Sequence, residues 1–275
     1  MTPLIHLPLI LSLVYAPPAA SDGSGRADVV RDFNYVALDI RTREVIEQRW
    51  SDINGSDING TDINGTDVNT PIPLGSLVKP FTALAYGGAY PEFVCKGKAS
   101  GCWLAHGHGR MRFREALAQS CNAYFLNLAH GVDPGTLAVV TGKFGISSPD
   151  GASPETRIGL GNGWRISPLA MVRAYAELSS RMGEPRVSEI FDGLELAARS
   201  GTASVIGGRA FAKTGTAPHE GVGTGVQKRS SDGFTLVLAP ADAPRIALLV
   251  RVRGVTGAEA AKSAARILRE MRARP

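Results

Sequence analysis

With 275 residues, 44% of them apolar and 20% charged, the chain has the composition of one large globular domain or two small ones, not of a disordered or fibrous protein. Its formal charge of +5 comes from basic residues spread along the sequence, and aromatic residues, 7% of the total, are too few to build a nucleic-acid stacking surface. Three cysteines are too few for a disulfide scaffold, and neither they nor His106, His108, His130 and His219 fall at the spacings of a zinc site, so no metal and no cofactor is expected.

The chain opens on an apolar run from Leu4 to Ala16, interrupted only by His6, Pro8 and Ser12 and followed by Pro17-Pro-Ala-Ala-Ser21. Residues 1–21 therefore resemble a secretory signal, although the usual preceding cation is missing. They imply a cell-envelope location, periplasmic or otherwise extracytoplasmic, with the protein either secreted or associated with the membrane through this segment. The run is short of the roughly 20 apolar residues that a stable span requires. Residues 22–275 are read as the folded domain. In an exported protein Cys95 and Cys102 are close enough in sequence to close a short disulfide loop, whereas Cys121 is expected to stay a buried thiol.

Asn34 to Ile40 and the Val45-Ile46 stretch read as a strand hairpin around Arg41-Thr-Arg-Glu. Four five-residue units follow, starting at Ser51, Ser56, Thr61 and Thr66, three of them Ser/Thr-Asp-Ile-Asn-Gly. Their Asp and Asn oxygens suit calcium and their Asn-Gly-Ser/Thr triplets are formal glycosylation acceptors. With one apolar residue per unit, however, residues 51–70 are read as a flexible surface loop grown by duplication. From Ser76 to Tyr86 the apolar residues recur at helical spacing, with Gly75 permitting a sharp entry. Helical patterns recur at 112–118, 123–129 and 134–144, and another starts at Ser167-Pro168. Ala210–Ala217, Gly233–Ala239 and Arg245–Val252 read as strands and Ala258–Arg272 as an amphipathic helix, whose arginines form an exposed face. The fold class is α+β: one antiparallel sheet made from both ends of the chain, flanking helices, and an inserted all-helical lobe with a cleft between the two.

Ser76-Leu-Val-Lys79 places a hydroxyl and an amine one helical turn apart, a nucleophile beside a base. About one Ser-x-x-Lys arises by chance in such a chain. Ser120-Cys-Asn122 adds a hydroxyl able to relay a proton and an amide able to hold a peptide group by both edges. Lys213-Thr-Gly-Thr216 lies on an expected strand, where Lys213 brings positive charge, Thr214 and Thr216 bring carboxylate-binding hydroxyls, and Gly215 allows close approach of substrate. Only roughly 0.05 Lys-Thr-Gly triplets arise by chance. The three motifs together are those of penicillin-binding proteins and class A β-lactamases.

The chain resembles the transpeptidase domain of the high-molecular-weight penicillin-binding proteins, in particular the elongation type. The likeness is carried by Pro73 to Phe81, Cys102-Trp, His106 to Gly109, Ala116 to Phe125, Gly159 to Gly163, Ser167 to Ala170, Arg173 to Ala176, Phe211 to Ala217 and Phe234 to Pro240. Members usually carry a membrane helix and a further domain ahead of this one, whereas here the first expected strand begins at Asn34. The resemblance implies a penicillin-binding protein/β-lactamase-like fold and D,D-transpeptidase acyl transfer on peptidoglycan stem peptides, with β-lactams as inhibitors. It implies Ser76 as nucleophile, Lys79 as base, Ser120 as proton relay, Lys213 as electrostatic support, Asn122 on the acyl donor, Thr214 and Thr216 on its carboxylate, and an oxyanion hole from the N–H groups of Ser76 and Thr216. Three other activities remain open from sequence: D,D-carboxypeptidase, β-lactamase, and a β-lactam sensor that does not turn over. The β-lactamase reading lacks a Glu-x-x-Leu-Asn between the second and third motifs, since Glu155 is followed by Thr-Arg-Ile, and the sensor reading lacks a transmembrane transducer.

Overall fold

The computed structural model of the chain describes residues 33–50, 67–149, 153–219 and 231–273. The signal-like segment and residues 51–66 of the pentad loop lie outside them. The last pentad unit is different from the expected surface loop: Val68 is buried, and its carbonyl accepts the N–H of Leu169, so residues 67–70 belong to the folded body.

Strand β1 (Phe33–Asp39) turns into β2 (Val45–Arg49) where the Asp39 carboxylate accepts the N–H groups of Arg41 and Thr42, both at 2.8 Å. After the short β3 (Ile72–Pro73), a 3₁₀ turn over Gly75–Val78 leads into helix α1 (Lys79–Ala85). A small ribbon, β4 (Phe93–Cys95) with β5 (Gly109–Met111), precedes α2 (Phe113–Ala118), α3 (Asn122–His130), α4 (Pro134–Gly142) and α5 (Pro154–Arg157). β6 (Arg165–Ile166) pairs with β3, and α6 (Pro168–Ser179) starts where Ser167 accepts the N–H of Ala170. Then come α7 (Pro185–Ser200), β7 (Phe211–Pro218), β8 (Ser231–Ala239), β9 (Ile246–Arg253) and α8 (Gly257–Arg272).

Five strands from both ends of the chain form one antiparallel sheet in the order β2-β1-β9-β8-β7, which is the expected α+β architecture. Side chains alternate across it. Ala37, Val237, Leu248 and Val250 pack beneath the apolar stripe of α8, Ala260, Ala261, Ala264, Ile267 and Leu268. Val36, Leu38, Leu236 and Leu249 point the other way and share one core with Leu77, Phe81, Phe125 and Tyr175 of the helical elements. Buried on both faces, β8 and β9 are nearly unbroken apolar runs, interrupted where Arg251 pairs with Asp232 and His219 adds a 3.0 Å contact from the end of β7.

The helical core bears directly on the 3₁₀ turn. Tyr175 of α6 is fully buried, stands edge-on to Phe81 at 5.6 Å, and donates its hydroxyl to the Leu77 carbonyl at 2.8 Å. Tyr175→Phe keeps the ring and leaves that buried carbonyl without its donor. It should lower unfolding free energy in urea by about 1–3 kcal/mol; an unchanged midpoint would show that the turn does not depend on this bond.

Candidate active site

The sheet and the helical lobe meet at β7, and the three sequence motifs converge there. Ser76 lies in the 3₁₀ turn, where side chains three residues apart eclipse, so Ser76 and the first residue of α1, Lys79, share one face. Two backbones approach too closely for a Cβ on either. One placed on Gly75, whose φ is +58°, would sit 2.5 Å from the Thr216 carbonyl oxygen, and one on Gly215 would sit 2.3 Å from the Leu74 carbonyl oxygen. The absent side chain of Gly215 thus admits the nucleophile turn against β7, a packing role beside the substrate approach expected from sequence.

Ser120 joins α2 to α3 with φ +51°, a left-handed conformation that a non-glycine residue adopts at a cost. That geometry presents both its carbonyl and its hydroxyl to the lysines. Lys79 Nζ donates to Ser120 O at 2.9 Å, Ser120 Oγ at 3.4 Å and Asn122 Oδ1 at 2.7 Å, and lies 5.2 Å from the centre of the Phe125 ring. Lys213 Nζ donates to Ser120 Oγ at 2.8 Å and to the Thr214 carbonyl at 2.8 Å. Two amines from different elements therefore share one hydroxyl.

Both lysines are fully buried. Burial pulls Lys79 from the usual lysine range down to about 7, against a smaller upward pull from Cys121 and Cys102. Burial, followed by repulsion from the Lys79 ammonium, holds Lys213 well below its usual range. Desolvation is thus the main cause for both lysines, and for Lys213 the repulsion from Lys79 adds to it.

The cleft in front of these groups has a volume of about 290 Å³ and is lined by Ser76, Ser120, Asn122, Thr214, Gly215 and Thr216. Lys79 and Lys213 lie just behind this wall. Asn122 differs from expectation: its oxygen is taken by Lys79, which leaves only the amide N–H₂ edge for a ligand. Thr216 Oγ1 accepts the N–H of Gly257 at the start of α8, so its own proton remains available to a ligand. Sequence reasoning missed five contributors to the lining. Thr202 shares a 2.7 Å bond with the Thr214 hydroxyl, and Trp103, Leu160, Thr256 and Ala258 complete the walls. Thr256 carried a readable signal, a capping box with Glu259, but Thr202 had none.

The expected Cys95–Cys102 disulfide is not formed. All three thiols are free and buried, and the Sγ of Cys102 lies 3.9 Å from that of Cys121 and 3.5 Å from His108 Nδ1. The pairing does not survive, because the loop after β4 folds back on the second motif and brings Cys102 toward Cys121. His219 Nδ1 lies 3.0 Å from Asp232 Oδ1.

Among solved structures the chain is similar to Pseudomonas aeruginosa PBP2 in complex with WCK 5153, at TM-score 0.66 and 18% identity over 88% of this chain and 73% of that one. It is also similar to Helicobacter pylori PBP2 in its complex with MreC, at TM-score 0.68 and 16% identity, covering 88% of this chain and 60% of that one. The transpeptidase domain of the Legionella pneumophila D,D-transpeptidase FtsI4 gives TM-score 0.60 and 20% identity over 86% and 87%. At such identities these likenesses bear on fold alone, and a comparison with curated proteins finds no match. The profile of the penicillin binding protein transpeptidase domain matches residues 35–272, nearly the whole chain, which thus belongs to the penicillin-binding protein transpeptidase family.

Proposed function

We propose that the protein is a D,D-transpeptidase of the cell envelope that acylates Ser76 with peptidoglycan stem peptides, and that β-lactams inhibit it by acylating the same serine. The observation that carries this reading is the convergence of two buried amines on the Ser120 hydroxyl beside Ser76. No helix among the described residues is long and apolar enough to cross a membrane.

Lys79, neutral above about pH 7, removes the Ser76 proton as Oγ attacks the carbonyl carbon of the penultimate D-alanine. The oxyanion forms between the N–H groups of Ser76 and Thr216, whose backbones are held together by the close approach at Gly75. As the peptide C–N bond breaks, Ser120 passes a proton to the departing D-alanine nitrogen and is resupplied by Lys79. Lys213 raises the positive potential of the pocket and fixes the Ser120 hydroxyl. The Asn122 amide N–H₂ donates to the donor peptide carbonyl, and Thr214 and Thr216 donate to the terminal carboxylate. An amine from a second stem then attacks the ester, forms the cross-link and returns the proton to Ser76.

Intact-mass spectrometry with penicillin should show one adduct that disappears in Ser76→Ala; an adduct retained, or found on another serine, contradicts the assignment. With a stem-peptide substrate, D-alanine release should be accompanied by product joined to an added amine acceptor. Hydrolysed product alone would make the enzyme a carboxypeptidase, and rapid release of hydrolysed penicillin a β-lactamase. Below about pH 7 Lys79 carries its proton, so the acylation rate constant should fall close to tenfold per pH unit there and level off above. A rate independent of pH between 5 and 8 would remove Lys79 from the role of base.

A further inference from the structure

Thr202 lines the cleft but takes no part in the acyl-transfer scheme above. It follows the end of α7 by one residue, Gly201, and its N–H donates to the Ala118 carbonyl at 3.1 Å. Its hydroxyl lies 2.7 Å from that of Thr214 and 3.3 Å from the same Ala118 carbonyl. A Cβ on Gly201 would sit 2.4 Å from that carbonyl oxygen, so the chain after α7 is in backbone contact with the end of α2. One side chain thus ties the third motif to the segment two residues ahead of Ser120.

A single proton occupies the bond between the two hydroxyls, and its direction decides what the cleft offers. In one direction Thr214 donates to Thr202, which passes its own proton to the Ala118 carbonyl, and neither hydroxyl has a proton left for a ligand. In the other, Thr202 donates to Thr214, whose own proton is free to enter the cleft. This second direction gives up a 3.3 Å bond to a carbonyl that the Thr202 N–H already satisfies. It gains a charge-assisted bond to any anion in the cleft, roughly twice as strong as a neutral one. A hydroxyl that accepts one bond also donates the next more strongly. A carboxylate therefore selects the second direction. The same arrangement recurs at Thr216, whose oxygen accepts the Gly257 N–H at 2.9 Å and whose proton is likewise left to the cleft. No arginine is among the described residues that line the cleft, so a carboxylate there relies on these two hydroxyls and on the potential of the lysines behind them.

We propose that Thr202 is a positioning residue for carboxylate recognition: its hydroxyl donates to Thr214 and thereby aims the Thr214 proton at the carboxylate of the acyl donor. This role rests on the acyl-transfer reading of the cleft and adds to it a residue that acts only through Thr214. No covalent bond changes; two hydroxyl rotors turn when the anion binds.

Acylation by benzylpenicillin, followed by stopped flow over a range of concentrations, separates the half-saturating concentration from the limiting rate constant. Thr202→Val removes the hydroxyl and keeps the backbone bond to Ala118. It should raise the half-saturating concentration about fivefold to tenfold and leave the limiting rate constant within about twofold, and Thr202→Ser should restore the unmodified behaviour. The methyl ester of benzylpenicillin carries no anion and should acylate the unmodified chain and Thr202→Val alike. In a Thr214→Val background Thr202→Val should add no further loss, because the hydroxyl it orients is gone. If Thr202→Val does not fold, Thr202→Ala deletes the same hydroxyl without branched bulk at this half-buried position and takes its place. An equal loss for acid and ester marks a merely structural role and overturns the proposal, as does no loss for either. A loss that persists in the Thr214→Val background also overturns it, since Thr202 would then touch the ligand itself. Failure of the underlying reading looks different: the unmodified chain forms no penicillin adduct on Ser76, and the role of Thr202 falls with it.

Discussion

Two lysine side chains withdrawn from water onto a single serine hydroxyl are the constraint around which this protein is organised. A buried ammonium loses its hydration, and two in one site also repel each other, so the arrangement persists only if at least one is neutral and every donor finds an acceptor. The acceptors come from three separate pieces of chain: Ser120 O and Oγ between α2 and α3, Asn122 Oδ1 at the start of α3, and the Thr214 carbonyl on β7. Bringing those pieces together requires the sheet, the helical lobe and the turn carrying Ser76 to meet at one seam.

The seam is made by backbone more than by side chains. Gly75 and Gly215 let the nucleophile turn and β7 touch where any Cβ would collide, and Tyr175 holds the turn from below through the Leu77 carbonyl. Ser120 accepts left-handed geometry to aim two oxygens at two amines. Strain at that residue is offset by its lysine bonds, so the lysines and the loop that serves them stabilise one another. On the same loop, Cys121 is buried with its Sγ 3.9 Å from that of Cys102.

Much of this was legible in the sequence. The alternation in Asn34–Ile40 and the apolar runs at Gly233–Ala239 and Arg245–Val252 identified sheet strands, because burial on one or both faces leaves that pattern directly. Ser76, Lys79, Ser120, Asn122, Lys213, Thr214, Gly215 and Thr216 come together as their motifs implied, Lys79 and Lys213 behind the cleft wall and the others lining it. The helix Pro185–Ser200 was passed over despite Pro185 at its first turn and buried Val187, Ile190, Phe191 and Leu194 at helical spacing. Its charged residues between those positions diluted the apolar signal. Thr202 and the Cys–His cluster were not legible for a different reason. Their neighbours are set by how distant segments return through the fold, and local spacing carries no trace of that. The tilt of the lysine balance toward desolvation was equally hidden, since burial depends on everything packed around the amine.

The account stands most directly on where an acyl group attaches and what surrounds it. A crystal structure of the penicillin adduct should show continuous density from Ser76 Oγ, the ester carbonyl between the N–H groups of Ser76 and Thr216, the ligand carboxylate against Thr214 and Thr216, and its side-chain amide on Asn122. Density attached elsewhere would contradict it, as would an ester carbonyl facing away from the Thr216 N–H with Lys79 and Lys213 displaced from Ser120.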